Sequence, residues 1–209
     1  MEHLLVAPPH ARVLYVLAHG AGAGMKHPFL DRIAQTLASK SIATFRYEFP
    51  YMQSGKSRPD PPAVAEAAVR QAVVEAARVA PGVPIIAGGK SFGGRMTSQA
   101  QSSQPMPGVR GLVFLGFPLH PPGRPGISRA EHLTSVDVPM LFLQGTRDEF
   151  ATLDLLQGVV KRLGTRATLH LIEEGDHSFK VPKSAGVAQD EVDVSVLDTI
   201  ETWLKRRIL

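Results

Sequence analysis

The stretch IIAGGKSFGG (Ile85–Gly94) carries two overlapping motifs, and the choice between them decides the fold. Read around Lys90, it ends in the Gly-Lys-Ser of a phosphate-binding loop. Read around Ser91, it is Gly-x-Ser-x-Gly, the strand-to-helix turn that presents a nucleophilic serine. A Walker-type loop needs a glycine five positions before the Gly of its Gly-Lys-Ser. That position is Pro84 here, and Pro50 for the second such triplet, Gly55-Lys56-Ser57. Proline lacks the amide N–H and the flexibility the loop requires, so neither triplet is a phosphate loop.

The serine reading fits its surroundings. The β-branched run VPII leads into Gly89, and FGGRMTSQAQ continues with helical character, so Ser91 falls at the turn between them. Glycine is needed on both sides because the nucleophile takes a strained backbone conformation and side chains at Gly89 and Gly93 would collide across the turn.

Outward from this turn, short apolar runs alternate with helix-period segments. Strands are expected at 13–18, 42–48, 84–89, 111–116, 139–144 and 168–174, with a weaker one around His3 to Val6. Several are apolar at consecutive positions, as strands buried on both faces should be. Helices are expected at 29–40, 61–80, 92–103, 151–164 and 189–206, the second capped by Asp60 and followed by Gly82. This pattern predicts an α/β chain: a mainly parallel sheet of about six to seven strands, flanked by helices on both faces. No repeat or linker divides it, so residues 1–209 are expected to form one domain. Between the strands ending near Gly116 and starting at Pro139, FPLHPPGRPGISRAEHLTSVDV is too short and Pro-rich for a separate lid domain.

Composition narrows the chemistry. Of 209 residues, 44% are hydrophobic and 20% charged, the balance of an ordinary globular protein. No run approaches the ~18 uninterrupted apolar residues of a membrane span. Glu2, Pro8 and Pro9 are wrong for a signal peptide, and a cytoplasmic location is the expectation. The absence of cysteine excludes disulfides, a thiol nucleophile and thiolate metal sites. A net charge of +4, spread along the chain, reads as solvated surface and gives no basis for nucleic-acid binding.

A serine hydroxyl needs a base, and the base needs an orienting acid. In this architecture they should follow in the order Ser, acid, His, each just after a strand. PMLFLQ runs into GTRDEF and offers Asp148; TLHLIEE runs into GDHSF and offers His177. The rivals are weaker. Glu149 is better placed to open the following helix, and Asp176 is too close in sequence to His177 to orient it. His170 lies within a strand, and His120 has no evident acid. The oxyanion hole should combine the amide of Phe92 with that of Ala21, in the small-residue loop HGAGAGM. His19 is expected to steady that loop. Tyr47, Phe49 and Tyr51, after a strand end, either line a substrate pocket or only pack their loop.

The segments AHGAGAGM, FRYEFPYM, GGKSFGGRM, LGFPLHPPGRP, LFLQGTRDEF and GDHSFKVP together resemble the small α/β-hydrolases related to dienelactone hydrolase. Within that group they are most similar to the branch of testis-expressed protein 30 and the third subunit of the human nonspecific-lethal chromatin complex. The resemblance spans about Val13 to Pro182. It implies an α/β-hydrolase fold and a triad of Ser91, Asp148 and His177. The expected activity is hydrolysis of a small-molecule carboxylic ester or thioester, with no cofactor or metal implied and, from charge and hydropathy, no nucleic-acid or membrane partner. Dienelactone hydrolase carries cysteine as nucleophile, so Ser91 speaks against its substrate. One relative is a complex subunit, so the alternative is a hydrolase fold kept as a binding scaffold.

Overall fold

The computed structural model describes residues 1–209. Seven strands form one sheet: β1 (His3–Val6), β2 (Val13–Ala18), β3 (Ile42–Tyr47), β4 (Ile85–Lys90), β5 (Val109–Leu115), β6 (Met140–Gly145) and β7 (Ala167–Ile172). Their spatial order is β1-β3-β2-β4-β5-β6-β7, with β1 antiparallel to β3 and all other pairs parallel. The helices are α1 (Pro28–Ser39), α2 (Pro50–Gln53), α3 (Pro62–Val79), α4 (Phe92–Ser103), α5 (Leu153–Leu163) and α6 (Gln189–Arg207).

Parallel strands need crossovers, and the helices supply them on both faces, which explains why β2 is apolar throughout. Leu14, Val16 and Ala18 face a core built with α3, α4 and α5. Val13, Tyr15 and Leu17 face a second core built with α1 and α6. The sidedness alternates with period two although every residue is buried. No helix is long and apolar enough to cross a membrane.

The expected elements are present, with local differences. The weak N-terminal strand is real, and pairs antiparallel along the edge, His3 opposite Tyr47. The short helix α2 was not anticipated. Asp60 does not cap α3: Pro61 occupies that position, and the Asp60 carboxylate accepts from the Tyr51 amide at 2.9 Å instead. Glu149 does not open α5 either, because that helix starts later, with Thr152 as its N-cap and Asp154 in its first turn. The segment between β5 and β6 holds one short 3₁₀ stretch, Ser128–Ser135, and is anchored by Phe117, Leu119, Leu133 and Val136 in the core. It packs against α4 and α5 and forms no lid.

The turn after β4 lies against the end of β2 with no room to spare. A Cβ on Gly93 would sit 2.5 Å from the His19 carbonyl oxygen and 2.7 Å from the Ala18 Cβ. Gly158, on the exposed face of α5, has nothing within 4 Å of an added Cβ. The same substitution should therefore have opposite signs at the two sites. Gly93→Ala should destabilise by about 1–3 kcal/mol through overpacking. Gly158→Ala should stabilise by roughly 0.5–1 kcal/mol through helix propensity. Urea unfolding of both variants checks this, and equal effects would contradict the packing described.

Candidate active site

Ser91 lies between β4 and α4, with φ 49° and ψ −115°, a conformation rarely occupied by a residue with a side chain. The neighbouring backbone holds it there. The Ser91 amide donates to the Leu115 carbonyl at 3.2 Å, and its own carbonyl accepts from Arg95 to start α4. Gly89 has φ +144°, and a Cβ there would lie 2.2 Å from the Ala18 carbonyl oxygen. Only glycine fits, and the strand therefore approaches close enough to turn the serine outward.

The structure brings Ser91, His177 and Asp148 together from three loops at the carboxyl ends of β4, β7 and β6. His177 Nε2 is 2.8 Å from Ser91 Oγ, and His177 Nδ1 is 2.7 Å from Asp148 Oδ2. The Asp148 side chain is fully buried, while that of His177 is 20% exposed, open enough to meet a ligand. A buried carboxylate must have its lone pairs satisfied. Besides the imidazole N–H, Asp148 accepts from the Gln144 side-chain amide and from the Phe150 amide at 2.8 Å. Gln144, itself buried, is steadied in turn by the Phe117 amide at 2.9 Å. This arrangement leaves Nε2 facing the serine as the acceptor of its proton.

Asp176, His120 and His19 are occupied elsewhere. Asp176 accepts from the Ser178 and Lys180 amides at 2.7 and 3.0 Å, so it shapes the turn that carries His177. His120 donates through Nδ1 to the Pro121 carbonyl, and its Nε2 accepts from the Thr152 amide at 2.9 Å, tying down the segment that follows Asp148. His19 is fully buried beside the site. Its Nδ1–H donates to the Gly20 carbonyl at 2.8 Å, and its Nε2 accepts from the Phe49 amide at 3.1 Å. Burial pushes its pKa down, against the opposing pull of the Gly20 carbonyl and Glu48, in keeping with a neutral ring that braces the loop. A second serine–histidine pair, Ser98 and His132 at 2.8 Å, lacks these features. Ser98 is inaccessible, no carboxylate contacts the imidazole, and burial together with Arg95 pushes the histidine down to about 4.

The aromatic expectation needs correction. Tyr47, Phe49 and Tyr51 are at most 1% exposed and belong to the core, and none of them lines the cavity at Ser91. Three large apolar rings gain more by packing beneath the loop than by facing water. Phe49 meets Phe92 edge-on at 5.2 Å, and the Tyr51 hydroxyl accepts from the Gly22 amide at 2.9 Å. The residues that do line the cavity of about 570 Å³ at Ser91 include Phe29, Leu30, Phe150 and the Gly20-Ala21 loop. Phe150, whose ring lies 4.4 Å from that of His177, could not be singled out from sequence, because its neighbours in GTRDEF carry the recognisable signal. A larger groove, of about 840 Å³, runs along α6 between Thr168 and Trp203 and contains no nucleophile–base pair.

Of the two amides expected to hold an oxyanion, that of Phe92 begins α4, and that of Ala21 lies in the loop that follows β2. Phe92 is the first residue of α4, where a helix has amide donors with no intrahelical acceptor. In the facing loop, the Gly22 amide is taken by Tyr51 and that of Ala23 by Gly20. The amides of Gly20 and Ala21 donate to no protein group.

Solved structures resemble this fold over nearly its whole length. An α/β serine hydrolase homologue from Coxiella burnetii superposes with a TM-score of 0.76 at 16% identity, covering 97% of this chain and 90% of that one. A serine hydrolase without a lid from Xanthomonas campestris gives 0.74 at 17% identity, covering 98% and 88%. Dienelactone hydrolase from Anabaena variabilis gives 0.75 at 19% identity, covering 99% and 92%. At these identities the likeness is one of fold. Residues 11–205 match the family described as the alpha/beta hydrolase domain, and to that family this chain belongs.

Proposed function

We propose that this protein is a serine hydrolase that cleaves a carboxylic ester or thioester of a small molecule, with residues 1–209 acting as one catalytic unit. The observation that carries the reading is the unbroken line of hydrogen bonds from Ser91 through His177 to Asp148, with the serine held in a strained turn. Ser91 Oγ attacks the carbonyl carbon while its proton passes to His177 Nε2. Asp148 keeps the Nδ1 proton in place and stabilises the imidazolium that forms. The negative oxygen meets the amides of Phe92 and Ala21. Collapse of the tetrahedral intermediate breaks the bond to the alcohol or thiol, which leaves with the proton from Nε2. Water, deprotonated by the same imidazole, then releases the acid and restores the serine. Within the family we place the chain nearest the testis-expressed protein 30 branch, on the motifs quoted from its sequence. The cysteine-free composition accords with a cytoplasmic setting.

The direct test is a fluorophosphonate probe, which reacts with activated serines whatever the natural substrate. Mass spectrometry should locate the adduct on Ser91, and Ser91→Ala should remain folded and unlabelled. A folded wild-type protein that resists the probe would sink the enzyme reading and favour a binding scaffold. Label persisting in the variant would mean that another serine is the nucleophile.

The three neighbouring acids separate by their contacts. Asp148→Asn keeps the volume but presents the wrong partner to the imidazole, and should lower turnover by about 10⁴. Glu149→Gln should be mild, since the Glu149 side chain is exposed and pairs with nothing. Asp176→Asn should also be mild, because an amide oxygen can still accept from the turn amides. If turnover on an aryl ester collapses in Glu149→Gln instead, the acid is misassigned.

Substrate length provides a further check. The cavity is open, and the segment after β5 is anchored in the core, so acyl carbons beyond the apolar wall of Phe29, Leu30 and Phe150 stay in water and add nothing. The value of kcat/KM should be higher for acetate and butyrate aryl esters than for long-chain ones, with no jump where substrate forms micelles. A steady rise with chain length would refute a lidless site.

A further inference from the structure

Lys90, directly before Ser91 in sequence, is 9% exposed. It neither points to solvent nor makes a salt bridge with a carboxylate. Its side chain follows a narrow path on the α1–α6 side of the sheet. A Cβ on Gly20 would lie 3.4 Å from Lys90 Cγ, and one on Gly116 would lie 2.9 Å from Nζ. At the end of this path Nζ donates to the His177 carbonyl at 2.5 Å and lies 5.9 Å from the centre of the Phe179 ring.

That contact matters because of what His177 lacks. The turn around it is bonded on both sides, Gly175 to Ile172 and Arg147, and Asp176 to Lys180 and Phe179. The His177 main chain itself makes no hydrogen bond to another backbone group, and Lys90 is the only partner of its carbonyl. The imidazole is held laterally by Asp148 and Ser91 and contacts the Phe150 ring, but those contacts orient the ring without fixing how far the backbone stands from the serine.

We infer that Lys90 is a positioning residue: by gripping the His177 carbonyl from the residue next to the nucleophile, it sets the separation of the base and the serine. The inference rests on the triad reading above. Lys90 touches no reacting atom, so it acts only through the placement of His177. A charged donor forms a stronger bond to a carbonyl than a neutral one, which suits an ammonium to this task.

The burial of that ammonium is unfavourable. Desolvation pushes the Lys90 pKa down to about 8, against the attraction of Asp148 and Asp176. These two carboxylates act on it from the segments following β6 and β7, and His27, Arg32, His177 and Lys180 line the same cavity. The amine is therefore charged below about pH 8 and neutral above it. Between that point and the unfolded lysine value of ~10.4, only the unfolded chain keeps the proton, so stability rises with pH across that window. At neutral pH the folded protein bears the full cost of the buried charge. A group retained only to strengthen the fold would not carry this cost, whereas one that positions the base would.

The test uses Lys90→Met, which keeps an unbranched apolar stem, one heavy atom shorter, and removes both charge and donor. The expected result is a loss in kcat of about 10²-fold on 4-nitrophenyl acetate, the scale of a small misplacement of a reacting group. KM should change by less than ~2-fold if the pocket that binds the ester is unaltered. The melting temperature at pH 7 should be unchanged or higher. Retained kcat would overturn the inference, and so would a loss of kcat matched by a lower melting temperature. Wild-type kcat should decline through a midpoint near pH 8, and this limb should vanish in the variant. Should Lys90→Met fail to fold, the wild-type profile decides alone, and a flat profile to pH ~10 overturns the inference. A wild-type protein inert to both ester and fluorophosphonate would sink the hydrolase reading itself, an outcome distinct from an active enzyme indifferent to Lys90.

Discussion

Everything at the active end of this molecule depends on how closely the turn after β4 approaches the end of β2. The Ala18 carbonyl leaves no space for a side chain at Gly89, and the His19 carbonyl leaves none at Gly93. Two backbones packed this tightly force Ser91 into its positive-φ conformation and present its Oγ above the sheet. The same approach brings the Gly20-Ala21 loop beside Ser91, so the candidate oxyanion amides and the proposed nucleophile are positioned by one contact. Such strain, on the order of 1–3 kcal/mol, persists only where the surrounding packing over-determines it. The parallel strands on either side, buried on both faces, provide that packing.

Around this turn, most polar groups that resemble catalytic residues are structural. His19 bridges Gly20 and Phe49, His120 bridges Pro121 and Thr152, and Asp176 closes its own turn. Each satisfies backbone groups that loops at a sheet end would otherwise bury unpaired, an omission that costs ~1–3 kcal/mol apiece. Asp148 differs because it bonds both to its supports, Gln144 and Phe150, and to a partly exposed imidazole. The Ser98–His132 pair shows the contrast from the other side: a good hydrogen bond without an acid, without access and with a cation beside it.

The order of elements was legible in the sequence because buried parallel strands are apolar without interruption and helices keep their own period. The boundaries differ by a residue or two, as between the expected strand at 84–89 and the observed Ile85–Lys90. Ser91, Asp148 and His177, the residues proposed as a triad, were legible for a related reason: each lies in the segment after a strand end, and the fold places those ends together. Asp60 was misread because a carboxylate before a helix is a good local cap, yet Tyr51, distant in the reading of local signals, competes for it successfully. Tyr47, Phe49 and Tyr51 were ambiguous because position after a strand does not tell which way a ring points.

The sequence by itself determined the layered α/β architecture, the turn at Ser91 and the chain order of serine, acid and histidine. These follow from period, glycine placement and proximity to strand ends, all of which are local. Only the tertiary structure decided which polar groups meet. Gln144 and Phe150 support the acid, Tyr51 braces the loop at Gly22, and Lys90 reaches the carbonyl of His177, 87 residues further along the chain. No local pattern encodes such contacts, because they depend on strands β4, β5, β6 and β7 lying side by side and on the glycines that leave Lys90 its path. The physical reason is the range of the forces: apolar periodicity acts within an element, whereas a hydrogen bond forms only where folding has already brought donor and acceptor within about 3 Å.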